Sequence, residues 1–311
     1  MPIRSEILFV AAIAFLVSLG ADAQEKAKKK SREYPPQLPG AKFEVYKTIG
    51  DVKLNMYVYL PADHKPTDKR PAIVFFFGGG WQSGTPQQFE KHCEYLASRG
   101  MVAMTADYRV GSRHGAKVVD CVRDAKSAIR WARKESQRLG IDPNRLAAGG
   151  GSAGGHLAAA CGVIKGLEEA SEGTSISSVP NALVLFNPVL VLVSIDGSAK
   201  VDEKKFSDWQ KRMGVPPKEV SPYHHVTANA PPTIIFHGQA DSTVPFRTVE
   251  AFTKAMQNAG NRCELVGYPD QQHGFFNYGR GDDKFFRQTT RKMDEFLTSL
   301  GYLSGSPTLG K

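Results

Sequence analysis

Residues 141–159 read IDPNRLAAGGGSAGGHLAA, and this stretch decides the fold. Gly150-Gly151-Ser152-Ala153-Gly154 fits G-x-S-x-G. Arg145 to Gly149 before it reads as a short strand, and Ala153 to Cys161 after it as a helix. A strand that reverses directly into a helix turns so sharply that the neighbours of the central Ser must lack bulk, and the Ser hydroxyl is then thrust out at the helix N-terminus. The same glycines, Gly149, Gly151 and Gly154, also satisfy the dinucleotide fingerprint G-x-G-x-x-G. That reading needs an acidic residue about 20 positions on, at the end of the next strand. Glu172 has the spacing but lies in a polar loop before that strand, so the dinucleotide reading is set aside.

Outward from this point, strand and helix patterns alternate. Upstream, Val52 to Leu60 alternates as a half-buried strand. Pro71 to Phe77 (PAIVFFF) and Met101 to Tyr108 are continuous apolar runs of the kind buried on both faces of a parallel sheet. Gln87 to Arg99 reads as a helix. Val118, Val122, Ala125, Ile129 and Ala132 mark one face of a second helix, whose Arg123, Lys126, Arg130, Arg133 and Lys134 read as a solvated surface. Downstream, Asn181 to Leu190, Thr233 to His237 and Cys263 to Tyr268 are strands, and Pro245 to Ala259 and about Asp283 to Leu300 are helices. The expectation is an α/β fold: a mostly parallel, twisted sheet with helices on both faces. Ligands of such sheets bind beyond the carboxyl ends of the strands. Ser194 to His225 is too long for a plain connection and is a candidate lid.

A nucleophilic Ser needs a base to take its proton and an acid to orient that base. With Ser on such an elbow the order is Ser, acid, His, the partners following later strands. Asp241 follows the strand TIIFH, and His273 follows the last strand. Of the eight histidines, His64, His92 and His114 precede the elbow. His156 lies one turn along the helix from Ser152, and His237 sits in a strand before the acid as a structural histidine. His224 and His225 end the insert, where His225 is a candidate pocket residue. Asp270 is a rival acid but shares a short loop with His273. Oxyanion donors are expected from the Ala153 N–H and from the loop Phe77-Gly78-Gly79-Gly80-Trp81, with Gly79 and Gly80 contributing backbone N–H groups. Trp81, beside them, is a second candidate for the substrate pocket.

The chain has 311 residues, of which 41% are hydrophobic and 23% charged, a composition that excludes disorder and fibres. Arg4, the apolar run Ile7 to Leu19 and the small residues Ala21 and Ala23 read as a secretory signal over residues 1–23, with cleavage expected after Ala23. The run falls short of the roughly 20 apolar residues that span a bilayer, so stable membrane insertion is not expected. Residues 24–40 read as a disordered basic and proline-rich spacer, 41–303 as the catalytic domain and 304–311 as a tail. Losing one Arg, one Glu and one Asp with the leader moves the net charge from +9 to +10. No aromatic-interleaved basic stripe marks a nucleic-acid partner. Cys93, Cys121, Cys161 and Cys263 show no metal spacing, and no metal or cofactor is expected. Export permits disulfides, but buried core thiols are equally compatible.

With these residues assembled, the chain resembles the esterase/lipase branch of the α/β-hydrolase superfamily over about Pro71 to Leu300. Within it, the chain looks like secreted bacterial acetyl esterases and feruloyl/acetyl-xylan esterases. The markers are GGGW at 78–81, DYR at 107–109, residues 141–159, SPYHHV at 221–226, HGQADSTVPF at 237–246 and HGFFNYG at 273–279. The resemblance implies an α/β-hydrolase fold, and a secreted or periplasmic serine esterase that acts on short-chain esters of a small molecule or glycan. Many relatives carry His before the three glycines; here it is Phe77, so the loop must be braced differently. A prolyl-oligopeptidase-like peptidase and a non-catalytic binding protein on the same fold remain as alternatives. The first normally carries a large upstream domain, and the second usually lacks a triad member.

Overall fold

The computed structural model describes residues 34–195 and 210–309. Eight strands form one sheet: β1 (Lys42–Ile49), β2 (Val52–Tyr59), β3 (Arg70–Phe76), β4 (Val102–Ala106), β5 (Ile141–Gly151), β6 (Ala182–Phe186), β7 (Thr233–Gly238) and β8 (Cys263–Tyr268). Their order is β1-β2-β4-β3-β5-β6-β7-β8. β1 pairs with β2, and β2 with β4, antiparallel; the other neighbours are parallel. Among the described residues, five helices of nine residues or more flank the sheet: α1 (Glu90–Ser98), α2 (Val118–Lys134), α3 (Ala153–Val163), α4 (Phe246–Asn258) and α5 (Lys284–Ser299). Strand side chains alternate between two cores. Val74, Ala148, Leu185 and Ile235 pack with residues of α2, α3 and α4. Ile73, Phe75, Val184 and Phe236 pack with residues of α1 and α5 on the other face. This is the α/β-hydrolase fold.

The elements buried on both faces are where the apolar runs place them, and the differences have physical causes. β1 reads KFEVYKTI, with charges at Lys42, Glu44 and Lys47, and carries no apolar run to announce it. β2 was expected to be half-buried; from Leu54 to Tyr59 it is buried on both faces, because β1 and β4 flank it and both cores reach it. β5 begins at Ile141, ahead of its apolar segment. The expected leader and residues 24–33 lie outside the described residues. Of the expected spacer, Leu38 belongs to the domain and is buried in its core beside Tyr57 and Tyr59. The C-terminal segment is also tied down, with Arg99 donating to Ser304 O and Arg291 to Leu309 O. Residues 196–209 of the candidate lid lie outside the described residues. Its C-terminal part is anchored, with Met213 and Val220 buried and Ser221 Oγ accepting Leu192 N–H.

The basic residues of α2 are not all solvated. Lys126 is buried and donates to Ile164 O and Glu168 Oε1. Arg130, also buried, pairs with Glu168 and Glu172. On the adjoining turn Asp124 is wholly buried and accepts Lys47 Nζ of β1 at 2.8 Å. It also accepts the Arg109 backbone N–H, Nε and a terminal nitrogen. This one carboxylate therefore ties β1 and the loop after β4 to α2.

Removing one partner of a buried ion cluster strands the others in low dielectric, and typically costs about 3–5 kcal/mol. Asp124→Ala is expected to lower unfolding stability by about that much in urea titration, and a loss under about 1 kcal/mol would contradict the account.

Candidate active site

β5 delivers the chain to Ser152 at φ 54° and ψ −117°, and α3 starts at the next residue. The Ser152 N–H donates to Phe186 O of β6 at 2.8 Å, and its carbonyl accepts His156 N–H and Val189 N–H. The turn leaves no space beside it: a Cβ on Gly154 would lie 1.9 Å from Phe76 O. The glycines of this stretch thus answer to steric exclusion at the elbow, as the pentapeptide requires.

Asp241 stands three residues past β7 and His273 five past β8. His273 Nε2 lies 2.9 Å from Ser152 Oγ, and Nδ1 lies 2.7 Å from Asp241 Oδ2. With Nδ1–H given to the carboxylate, Nε2 is the acceptor facing the Ser hydroxyl. The other carboxylate oxygen accepts the Thr243 and Val244 N–H groups at 2.8 and 2.9 Å. Burial would raise the Asp241 carboxyl, but hydrogen bonds from His237, His273 and Val244 N–H prevail and hold it well below the usual carboxylate range. His237 Nε2 donates to Val244 O at 2.8 Å and lies 3.3 Å from Asp241 Oδ2, so this structural histidine braces the acid. The His273 loop is held in turn. Gly274 N–H donates to Asn187 Oδ1, and Arg280 donates to His273 O. Asp270, the rival acid, is exposed.

Gly79 and Gly80 adopt φ 123° and 61°, and a Cβ on Gly79 would fall 2.2 Å from Ser83 O. Among the described residues, the Gly79, Gly80 and Ala153 N–H groups donate to no other residue; Ala153 opens α3, where the helix dipole favours negative charge. The bracing that Phe77 cannot give through a ring nitrogen comes from elsewhere. Tyr108 stacks on Phe77 with centroids 4.1 Å apart and donates its hydroxyl to Phe77 O at 2.7 Å. Gly78 N–H donates to Gln88 Oε1.

Trp81, one of the two expected pocket residues, is placed differently. Trp81 is only 3% exposed, and its indole N–H donates to His156 Nδ1 at 3.2 Å. His156 Nε2–H donates to Val220 O at 2.6 Å. The Trp81 ring is therefore a brace joining the glycine loop, α3 and the end of the insert, and offers no open face to a ligand. His225 Nε2 donates to Lys218 O within its own segment. The roles of His156, Gln88 and Tyr108 were not legible in sequence, although Tyr108 and His156 fall inside the motifs DYR and GGHLAA. Among the described residues no cluster of three His, Cys, Asp or Glu is arranged to hold a metal ion. All four cysteines are buried free thiols, and no described helix is long and apolar enough to cross a membrane.

Comparison with known proteins places this geometry among relatives. The family model described as BD-FAE matches residues 56–256, and that of the dienelactone hydrolase family matches residues 214–300. Esterase LipC of Mycobacterium tuberculosis is 30% identical over 230 residues, covering 68% of this chain and 54% of that protein. An acetylxylan esterase of Xylanibacter ruminicola is 30% identical over 240 residues, covering 72% of this chain and 44% of the relative. The chain thus spans about half the length of the curated relatives it matches. Among solved structures, Thermogutta terrifontis esterase 2 phosphonylated by sarin matches with TM-score 0.86 and 55% identity, over 88% of this chain and 100% of that one. Its butyrate-bound form matches with TM-score 0.84 and 55% identity, over 88% and 99%.

Two of the three fully buried histidines, His92 and His156, make stability depend on pH. Burial pushes His92 down to about 3 and His156 down to about 4, from an ordinary value of 6.5. The unfolded chain therefore binds more protons between pH 6.5 and about 4. The stability these groups allow is complete above 6.5 and is lost as pH falls through that window. At pH 5 the loss is about 2 kcal/mol for each histidine. Urea unfolding at pH 7 and pH 5 is expected to show the drop, and His92→Phe to remove about 2 kcal/mol of it. An unchanged drop in that variant would refute the assignment.

Proposed function

This chain belongs to the BD-FAE family, and from that premise we propose that it is a carboxylic-ester hydrolase with Ser152 as nucleophile, His273 as base and Asp241 as the orienting acid. The observation that carries the reading is the continuous hydrogen-bond path Ser152 Oγ to His273 Nε2, and His273 Nδ1 to Asp241 Oδ2, at 2.9 and 2.7 Å. His273 takes the hydroxyl proton as Ser152 Oγ bonds to the ester carbonyl carbon. The tetrahedral oxyanion is met by the N–H groups of Gly79, Gly80 and Ala153. His273 then gives the proton to the departing alcohol, leaving an acyl-Ser152. Water attacks that ester and gives a proton to His273; the Ser152 Oγ–carbon bond then breaks, His273 returns the proton to Ser152 Oγ, and the acid leaves. Asp241 stays ionised throughout and stabilises the imidazolium, a role its charge-favouring surroundings suit.

For the acyl group, the proposal is a short chain, acetyl to butyryl, with acetylated carbohydrate as the leading natural substrate. Support comes from the similar structure that holds butyrate, from the acetylxylan esterase relative, and from the described part of the insert, QKRMGVPPKEVSPYHH. There Met213 and Val220 are buried in the core and Val215 packs against it, which leaves little apolar surface for a long acyl trough. With the signal at residues 1–23, the enzyme would act in the periplasm or the medium.

Ser152→Ala is expected to lower turnover of p-nitrophenyl acetate by at least about 10³-fold while leaving the unfolding transition in place. In the same assay acetate and butyrate esters should outrun octanoate and palmitate, and a peptide p-nitroanilide should not be cleaved. A variant that keeps a tenth of the activity would overturn the nucleophile. A maximum at octanoate or beyond would overturn the substrate class.

A further inference from the structure

The glycine loop follows β3 and the histidine loop follows β8, on strands that are not neighbours, yet two side-chain amides join them. Gly78 N–H donates to Gln88 Oε1 at 2.6 Å. Gln88 Nε2 donates to Asn277 Oδ1 at 2.9 Å, and Asn277 Nδ2 donates to Gly274 O at 2.8 Å. The ends of this path dictate the orientation of both amides. Gly78 offers only a proton, so Gln88 must present its oxygen. Gly274 O only accepts, so Asn277 must present its NH2 group. The two requirements meet in the middle as an NH2 group facing an oxygen, and turning over either amide breaks two contacts. The three hydrogen bonds point the same way and polarise one another.

The path ends at informative places. Gly78 immediately precedes Gly79, and Gly274 immediately follows His273. Between them Gln88 Nε2 lies 3.4 Å from the point where Gly151 would carry a Cβ, so the path runs beside the nucleophile elbow. Both amides stand on fixed backbone. Gln88 belongs to the 3-10 turn Pro86–Phe89, where Thr105 Oγ1 donates to Pro86 O and Phe89 is buried. Asn277 follows Phe276, which is buried and stacked on Phe186 with centroids 4.6 Å apart.

We propose that Gln88 and Asn277 are positioning residues that hold the oxyanion donors in register with His273. This rests on the ester-hydrolase reading of Ser152, His273 and the glycine loop. The tetrahedral intermediate needs donors and base at once, and a misplacement of about 1 Å in such a site can cost about 100-fold in rate. Neither residue touches the substrate; each acts through a backbone group next to one that does.

The test uses near-isosteric variants of the full chain. Gln88→Glu keeps the acceptor for Gly78 N–H but removes the donor to Asn277. Asn277→Asp keeps the acceptor for Gln88 but sets an oxygen against Gly274 O. Each is expected to lower kcat on p-nitrophenyl acetate about 10- to 100-fold with KM within about twofold. The double variant should be no slower than the slower single, since either break opens the same path. Single variants with kcat within about twofold of wild type, or effects that multiply in the double variant, would overturn the proposal. Amide hydrogen exchange gives a readout that does not need turnover. Asn277→Ala should speed exchange in residues 77–80, at the far end of the path, and unchanged exchange there would also overturn it. If wild-type protein failed to cleave the ester while exchange still linked the loops, the ester-hydrolase reading would fall and the coupling would stand. If wild type were active and neither readout responded, only the coupling would fall.

Discussion

Ser152 carries a side chain in a backbone conformation, φ 54° and ψ −117°, that such residues adopt at a cost of order 1–3 kcal/mol. Strain of this size persists only where the surroundings over-determine it. Here β6 receives the Ser152 N–H, two amides are drawn to its carbonyl, and Phe76 O comes so close to Gly154 that no larger residue fits there. The elbow in turn decides which strands matter. Once Oγ stands at the end of β5 and the start of α3, a base can reach it only from loops at the same end of the sheet, and the parallel register of β3, β5, β6, β7 and β8 brings those loops to that end.

Around the elbow, the polar groups are arranged so that few side chains are left to find their own geometry. The Asp241 carboxylate is anchored by two backbone N–H groups before His273 uses its other oxygen. His237 adds a contact from within β7. On the opposite side, the Trp81 indole and the His156 ring fasten the glycine loop to α3 and to Val220. The position before the glycines is filled by a phenylalanine clamped under Tyr108. A loop built from three glycines would otherwise sample many conformations, and these contacts confine it.

Legibility in sequence followed physical type. β3, β4 and β6 are continuous apolar runs because both their faces are covered, and they are readable for that reason. Ser152, Asp241 and His273, which the fold brings within hydrogen-bonding distance, stand out in sequence because chemistry restricts the candidate residue types and topology restricts their order. β1 was missed because Lys47 is buried by pairing with Asp124, 77 positions away, and pairing across that separation leaves no local pattern. The same reason turned Lys126 and Arg130 from an expected solvated surface into buried partners of Glu168 and Glu172. Trp81 invited a reading as an open aromatic face. Its actual partner, His156, lies 75 positions along the chain, and only the folded turn between β5 and α3 brings the two rings together.

The central claim is that Ser152 Oγ is the reactive nucleophile and that His273 makes it so. Incubation with a diethyl p-nitrophenyl phosphate inhibitor, followed by intact and peptide mass spectrometry, tests it directly. One diethylphosphoryl group per chain is expected on Ser152, formed with stoichiometric release of p-nitrophenol, and formed far more slowly in His273→Gln. Modification at any other residue, or labelling of Ser152 at an unchanged rate in His273→Gln, would contradict it.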